Sequence, residues 1–255
     1  MPLEQYLPLQ AHVLLVIFTR LAGTVMLLPG LGEAFAPARV RLLFAVLLTI
    51  VAAPMIAPSI PPEPSSTLGL FVLLAGELLV GVYLGLISRI MLLTLDTAGR
   101  FISFSIGMAN AQIFNPSIAN QASIPGLMLT TMGIMILFAT NMHHTLIIAV
   151  IDSYTLFPVG NPMPSGDAAL VISRIVGDSF RLALQLSAPF IVLSLVFFMG
   201  LGVLARLMPQ LQIFFVGLPI QLAGGMFLMA ASFSGLFTLF LEYYTEGLNA
   251  YISTR

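Results

Sequence analysis

Residues 70–107 read LFVLLAGELLVGVYLGLISRIMLLTLDTAGRFISFSIG, and this stretch decides the fold. It is apolar almost throughout and is far longer than the roughly 20 residues that a helix needs to cross a bilayer. Four charged side chains lie inside it: Glu77, Arg89, Asp96 and Arg100, of which the last two are four residues apart and could pair locally. A helix that is too apolar for water and still carries charges predicts a membrane protein with close helix neighbours.

Glu77 and Arg89 should not be left alone in such a helix. A charge at the centre of a membrane helix costs about 2.5–3.5 kcal/mol, so each needs a partner, a wet surface or access to the interface. Twelve residues separate them, roughly 18 Å along a helix, so they cannot pair on one straight helix. Arg20, inside the first apolar run, has the same need. We predict that Glu77 and Arg89 are buried polar groups or intersubunit contacts.

Glycines surround Glu77 in the same stretch. Gly81 and Gly85 form a G-x-x-x-G motif, and Gly76 precedes them. Small residues let membrane helices approach closely. The motif therefore predicts tight packing of this helix on a neighbour.

The composition of the whole chain agrees with a bilayer environment. Of 255 residues, 59% are hydrophobic and 7% are charged, and the mean hydropathy is +1.06. A soluble domain carries about 25% charged residues. The net charge of -1 argues against nucleic acid as a partner, and the absence of cysteine excludes disulfides and thiolate metal sites.

Proline- and glycine-rich breaks divide the chain into apolar runs. The runs cover residues 11–31, 42–57, 68–107, 127–151, 188–204 and 213–241, and residues 168–186 form a more charged helix before the fifth run. Arg174, Asp178 and Arg181 share one face of that helix and can pair, although an ordinary interfacial face explains them as well. We predict an all-α membrane protein of bent and broken hydrophobic helical hairpins, a single integral membrane domain over residues 1–255.

Residues 108–126, MANAQIFNPSIANQASIPG, are small and amide-rich between two apolar helices. Irregular backbone at membrane depth is tolerated only where it is buried in protein or lines a wet cavity. An exposed loop in water is the other interpretation. Within the segment, Phe114 and Ile118 suit a plug that closes a hole. The candidate pore and plug residues are Met108, Asn110, Gln112, Phe114, Asn115, Pro116 and Ile118.

Residues 205–225, ARLMPQLQIFFVGLPIQLAGG, interrupt the last two apolar runs with polar and helix-breaking residues. Prolines disfavour a straight helix and glycines permit close approach. We predict a hinge here at Pro209, Gly217 and Pro219. The polar side chains Arg206, Gln210 and Gln221 are predicted to be buried or to contact neighbouring subunits.

No catalytic arrangement is evident. His143 and His144 are adjacent and therefore point to different faces of a helix, which makes a poor metal pair. Asp152 lies nearby, but there is no H-E-x-x-H motif and no serine–histidine–acid arrangement. We expect no enzyme activity, no cofactor and no metal.

Five sequence motifs follow one another along the chain. They include PARVRLLFAVLLT, GELLVGVYLGLISRIMLLTLDTAGR, GMANAQIFNPS, NMHHTLIIAVIDSYTLFPVG and ARLMPQLQIFFVGLPIQLAGG. In this order and spacing, over nearly the whole chain, they resemble the FliR family of flagellar export-gate proteins, called SctT in injectisomes. Asn115 stands where that family often has aspartate, which weakens any role of an acidic group in this segment.

The resemblance implies a fold and a function. It implies a FliP-like part over about residues 1–184 and a FliQ-like C-terminal hairpin over 185–255. It implies a non-enzymatic subunit that joins FliP-like and FliQ-like subunits in a helical pore of the bacterial inner membrane. The pore passes unfolded flagellar proteins, and residues 108–125 help to plug it. Further implied partners are FlhB-like and FlhA-like components, the flagellar basal body and membrane lipid.

Three other interpretations stay open at this stage. The first is an injectisome subunit of the SctT type. The second is a secondary transporter that uses Glu77, Arg89 and the broken helices as a midplane site. The third is a scaffold without contact to a pore.

Overall fold

The computed structural model of the protein describes residues 3–33, 35–108, 123–162, 165–208 and 213–251, which form seven α-helices and a short 3-10 helix. The α-helices are α1 (Leu3–Val25), α2 (Ala38–Ile56), α3 (Thr67–Ser105), α4 (Ile124–Ala139), α5 (Met142–Leu156), α6 (Ser165–Leu207) and α7 (Ile213–Tyr251); the 3-10 helix is Ala57–Ser59. No β-strand occurs in these ranges. The predicted all-α fold is confirmed.

Within the described ranges, four helical segments are long and apolar enough to cross a membrane. They are Ala38–Ser59, Thr67–Ser105, Gly166–Leu207 and Gly217–Ala250. Helices α4 and α5 make a fifth if the two are counted as one span, although the axis bends by 75° between them. The transmembrane helices predicted from the composition are therefore confirmed.

Helix breaks do not all fall where the apolar runs end. Residues 127–151 form one run in sequence, but α4 ends at Ala139 and α5 begins at Met142. The turn between them contains Asn141 in the left-handed region, with φ of 60°, a conformation that asparagine tolerates better than most residues. In contrast, residues 168–186 and the apolar run 188–204 belong to one helix, because α6 continues through residue 185 and contains Pro189.

The chain forms two compact units. The first comprises Met1–Met91, Leu137–Ile175 and Thr245–Arg255, and the second comprises Leu92–Ile136 and Val176–Tyr244. The first unit is built around α1, whose residues at spacings of three and four face a common core. That core consists of Val16, Ile17, Leu21, Ala52, Ile56, Val150, Tyr154 and Val159, contributed by α1, α2, α5 and the turn after α5.

In the second unit, α6 and α7 lie antiparallel. A Cβ added at Gly217 would come within 2.9 Å of Leu201, near the connection between the two helices. Farther along, the hydroxyls of Ser179 and Tyr243 are hydrogen-bonded at 2.8 Å. The residue numbers of the two contacts run in opposite directions, which defines a long helical hairpin.

Helices α3, α4 and α7 also meet in the second unit. A Cβ added at Gly133 of α4 would meet Leu92 of α3 and Phe240 of α7, each at 3.7 Å. Phe240 is fully buried. Glycine at this position therefore sets how closely α4 approaches its two neighbours.

Candidate functional site

A buried arginine organises the first unit. The side chain of Arg20 is fully buried, and its Nε donates to Oε2 of Glu77 on α3 over 2.7 Å. Its Nη1 donates to the hydroxyl of Ser153 over 3.3 Å, and its Nη2 donates to the carbonyl of Phe157 over 2.8 Å. Phe157 is the C-cap of α5, so a single guanidinium joins α1, α3 and the end of α5.

Aromatic rings cover the same group. The ring of Tyr154 lies 4.0 Å from Cζ of Arg20, which places the cation over the negative face of the ring. Tyr83 and Phe157 pack edge to face, with ring centroids 6.0 Å apart. Glu77 is also buried, with 3% of its surface exposed. The pair thus lies in a site from which water is excluded, and each charge is balanced by the other.

Glycines bring the two helices close enough for this pairing. A Cβ at Gly81 would collide with the backbone of Arg20, and one at Gly85 would lie 2.9 Å from the carbonyl oxygen of Thr24. Thr24 also donates its hydroxyl to the carbonyl of Gly81 over 2.9 Å. The G-x-x-x-G motif therefore packs α3 on α1 within this chain, as small residues do in membrane helices.

We predict opposite effects for two alanine substitutions on α3. Gly81→Ala should destabilise the protein by about 1–3 kcal/mol, the usual cost of overpacking, because the new methyl would meet the α1 backbone. Gly76→Ala should be neutral or stabilising by up to about 1 kcal/mol, because nothing lies within 4 Å of the added Cβ. Thermal unfolding of the purified variants measures both, and equal shifts for the two would contradict the close contact.

Arg89 pairs with a loop residue. Its Nη1 and Nη2 donate to the two carboxylate oxygens of Glu33, which lies between α1 and α2, and the second of these bonds is 3.3 Å long. The Arg89 side chain is 26% exposed and that of Glu33 is 17% exposed. Glu77 and Arg89 are therefore both paired within this chain.

In the second unit, Gln221 of α7 holds the end of α3. Its Nε2 donates to the carbonyl of Ser105 over 2.6 Å, and a Cβ at Gly225 would collide with Ile106. Gln221 is 5% exposed, and its Oε1 has no hydrogen-bond partner among the described residues. Beside it is a pocket of about 180 Å³, lined by Ser105, Ile106, Leu193, Ser194, Phe197, Ile220, Gln221 and Gly224.

Close contacts also hold the start of α4 in place. The hydroxyl of Ser123 accepts a hydrogen bond from the backbone N–H of Gly126 over 3.0 Å. A Cβ at Gly99 of α3 would collide with the backbone of Gly126, and one at Gly126 would lie 2.7 Å from a carboxylate oxygen of Asp96. The residues on both sides of the amide-rich segment are therefore anchored to helices of the second unit.

The other predicted site residues are distributed as follows. Met108 follows the end of α3 and is half-buried, and Arg206 is exposed near the end of α6. Gly217 and Pro219 lie within α7. The remaining predictions lie outside the described residues: Asn110, Gln112, Phe114, Asn115, Pro116, Ile118, Pro209 and Gln210.

Sequence reasoning missed three contributors to the arginine site. The hydroxyl of Ser153, the ring of Tyr154 and the carbonyl of Phe157 all contact Arg20, about 130 residues along the chain from it. The sequence indicates that Arg20 needs partners. It does not indicate which residues these are, because nothing in the sequence near Ser153, Tyr154 and Phe157 marks them as partners of an arginine.

The histidines take part in ring stacking. His143 stacks on Phe138 with ring centroids 4.7 Å apart. The ring centroids of His143 and His144 are 4.1 Å apart, so the expectation that these two side chains point to different faces was wrong. In the part of the chain that the structure describes, no group of three or more His, Cys, Asp or Glu residues is placed to hold a metal ion.

Comparison with known proteins gives a consistent result. The sequence profile of the bacterial export proteins, family 1, matches residues 11–247. The chain is 37% identical over 242 residues to the flagellar biosynthetic protein FliR of Caulobacter vibrioides, covering 95% of this chain and 96% of the relative. It is 30% identical over 228 residues to FliR of Bacillus subtilis, covering 88% and 87%. It is also 28% identical over 156 residues to the Yop proteins translocation protein T of Yersinia pestis, covering 60% of each.

Proposed function

The chain belongs to the bacterial export proteins, family 1, the family of the flagellar biosynthetic protein FliR, and on this premise we propose that it is a non-enzymatic subunit of the flagellar protein export gate. Membership makes it a component of a flagellar or type III export apparatus. The finer proposal is that the subunit forms part of a pore in the bacterial inner membrane through which unfolded flagellar proteins pass.

The exposure of α6 carries this proposal. This helix has 43 residues, and in its most apolar window only 6% of residues are buried within the chain. It measures roughly 64 Å at 1.5 Å per residue, about twice the bilayer core. Lipid alone cannot cover a helix of that length, so we infer that neighbouring subunits cover much of it.

We propose FliP-like and FliQ-like proteins as those neighbours. The contact between Leu201 of α6 and Gly217 of α7 supports a FliQ-like hairpin within residues 185–255, and the antiparallel pairing extends beyond that range to Ser179, which bonds to Tyr243. Arg206, exposed near its tip, is available to bond to an adjacent subunit, and Gln210 and Pro219 are proposed to serve the same contact. FlhB-like and FlhA-like components and the basal body complete the proposed surroundings.

We further propose that residues 108–125 help to plug the closed pore. Fixed positions on both sides support this role: Gln221 holds the carbonyl of Ser105, and Ser123 caps the start of α4. A segment whose two ends are held to helices is restricted in where it can lie. Side chains such as Phe114 and Ile118 would then fill the opening.

The mass of the detergent-extracted assembly tests the pore proposal. We expect the tagged chain to co-purify with several other small membrane proteins in one stable complex, because its apolar helices are incompletely covered by its own fold. Recovery of a well-behaved monomer after mild extraction would overturn the proposal. Crosslinking of residue 114 to a stalled export substrate would separate a pore subunit from a scaffold that lies away from the path.

An injectisome gate is the second candidate. The similarity to the Yop proteins translocation protein T favours it, but the FliR relatives match at higher identity and over more of the chain. Restoration of swimming in a fliR deletion strain by this chain supports the flagellar role. The transporter interpretation loses its proposed midplane site, because Glu77 and Arg89 each bind a partner within the chain.

A further inference from the structure

The pocket of the second unit lies between α6, α7 and the end of α3. Its volume is about 180 Å³, and its apolar walls are Ile106 just after α3, Leu193 and Phe197 on α6, and Ile220 on α7. An apolar cavity of roughly 150 Å³ is large enough to hold benzene. The pocket therefore has room for one aromatic ring.

The lining also includes a hydrogen-bond acceptor without a partner. Gln221 is 5% exposed, and its Nε2 donates to the carbonyl of Ser105 over 2.6 Å. Because a carbonyl oxygen only accepts hydrogen bonds, the amide nitrogen must face Ser105, which fixes the orientation of the Gln221 amide. Its buried Oε1 has no partner among the described residues. An unpaired buried acceptor costs free energy, so an occupant that donates to Oε1 is favoured over one that cannot.

The rest of the lining defines the charge of the occupant. None of the described residues that line the pocket is charged. A cation would therefore leave water without a counter-charge, and an anion would meet the partial negative charge of Oε1. The hydroxyl of Ser105 is already used, since it donates to the carbonyl of Phe101 over 2.8 Å. The occupant that fits these walls is uncharged and donates one hydrogen bond.

The surface around the pocket is apolar and exposed. Ile220 is 57% exposed, and Val192 and Val196, which are adjacent in sequence to Leu193 and Phe197, are 59% and 62% exposed. A neighbouring subunit that covers α6 would therefore cover the pocket as well. Tyrosine and tryptophan combine an aromatic ring with a single uncharged donor, and both are enriched where protein surfaces meet.

We propose that this pocket binds an aromatic group with one uncharged hydrogen-bond donor, of the phenol or indole class, and that a tyrosine or tryptophan side chain of a neighbouring subunit supplies it. The volume, the uncharged walls and the unpaired oxygen of Gln221 define the chemical class. The source of the group rests on the proposed function, because only the assembled gate brings another subunit to α6. Small probes test the class on the chain alone, and crosslinking in the assembled gate tests the source.

Binding of para-fluorophenol and para-fluorotoluene to the purified full chain, followed by fluorine NMR, tests the chemical class. After correction for uptake by detergent, we expect para-fluorotoluene to bind about tenfold more weakly, because its methyl group cannot donate to Oε1 of Gln221. Gln221→Met should remove this difference. Equal binding of the two probes to the unmodified chain would refute the role of Gln221. Binding of neither probe would show that the pocket holds only solvent and would refute the site.

Two glycines of α7 provide a matched pair of variants. A Cβ at Gly224 or at Gly235 would meet nothing within 4 Å, and Gly224 lines the pocket whereas Gly235 does not. Gly224→Leu should fill the pocket and lower the affinity for para-fluorophenol by about tenfold or more, and Gly235→Leu should leave it unchanged. Equal affinities of the two variants would refute the site. Unfolding temperatures close to that of the unmodified chain establish that each variant is folded, and the glycine pair decides the matter if Gln221→Met fails that check.

A photo-crosslinker at position 220, in cells that make the complete gate, tests the source of the aromatic group. It should label a segment of another membrane subunit that contains tyrosine or tryptophan. The purified complex should not bind para-fluorophenol, because its pocket is already filled. An adduct to lipid or to this chain itself, or probe binding by the complex equal to that of the chain alone, would refute the subunit contact while the chemical class of the pocket would stand.

Discussion

Replacement of Arg20 by methionine is expected to destabilise the protein by about 3–5 kcal/mol, the usual cost of breaking a buried ion pair from one side. Methionine keeps much of the length of the side chain and its ability to fill space. It removes the donors to Glu77, Ser153 and Phe157. The main penalty comes from Glu77, whose carboxylate would stay buried without a cation.

The double variant Arg20→Met, Glu77→Leu separates charge from packing. Replacing a buried pair by apolar residues of similar volume is often nearly neutral, so we expect the double variant to recover most of the lost stability. Recovery should be incomplete, because the carbonyl of Phe157 loses its donor from Arg20, and an unsatisfied buried group costs about 1–3 kcal/mol.

Thermal unfolding of the purified chain and its steady-state amount in membranes measure both variants. Asp96→Asn is a suitable comparison, since the Arg100–Asp96 pair is local and the Arg100 side chain is 57% exposed. Exposed pairs contribute at most about 1 kcal/mol. If Arg20→Met behaved like Asp96→Asn, the buried cluster would not organise this unit.

The arginine cluster shows how the first unit holds together in lipid. Apolar surface alone gives little preference for one helix neighbour over another there, because acyl chains are as apolar as leucine. Close backbone approach and buried polar contacts then decide which helices associate. Gly81 of α3 allows the close backbone approach. Arg20 and Glu77 supply the buried polar contact, and Glu77 lies one helical turn from Gly81.

The sequence predicted the fold class and the need for pairing. Hydropathy and length predicted the apolar helices, and the cost of a membrane charge marked Arg20, Glu77 and Arg89 as groups that need partners. The G-x-x-x-G motif predicted close helix packing, and Gly81 lies against α1 as that argument requires. Each of these inferences depends on the residue type at a position and on the solvent around it, and the local sequence indicates both.

Other features depend on contacts that the sequence does not specify. Pro189 lies inside α6 and Pro219 inside α7, because a continuous helix can bypass one missing hydrogen bond when other contacts support it. The break at Asn141 falls in an apolar run without proline. Propensity predicts breaks at proline, whereas tertiary contacts decide which of them occur.

Pairing partners were equally beyond local reasoning. Arg20 and Glu77 are 57 residues apart, and Arg20 and Phe157 are 137 apart. A charge signals that some partner is needed, but its identity depends on which helices become neighbours. For Glu77 and Arg89 the sequence left partners in this chain or in another subunit open, and the structure pairs both within the chain.

Deletion of residues 114–118 is expected to make the assembled export complex leak ions. Under the proposed function this segment fills the pore, and the ends that hold it, at Ser105 and Ser123, would remain bonded to Gln221 and Gly126. Removing five residues from the middle of residues 108–125 shortens the plug without disturbing α3 or α4. Protons would then cross the membrane in cells that express the complete gate.

Conductance of the purified complex in a planar bilayer, and the proton gradient of expressing cells, measure the leak. A variant in which residues 114–118 are replaced by five glycines and serines keeps the length but removes the side chains of Phe114 and Ile118. If sealing depends on these side chains, it should leak as well; if only the length matters, it should stay closed. Both variants must yield a complex of unchanged mass, because a lost subunit would open the pore by another route. A deletion variant of intact mass with unchanged conductance would show that residues 114–118 do not close the pore.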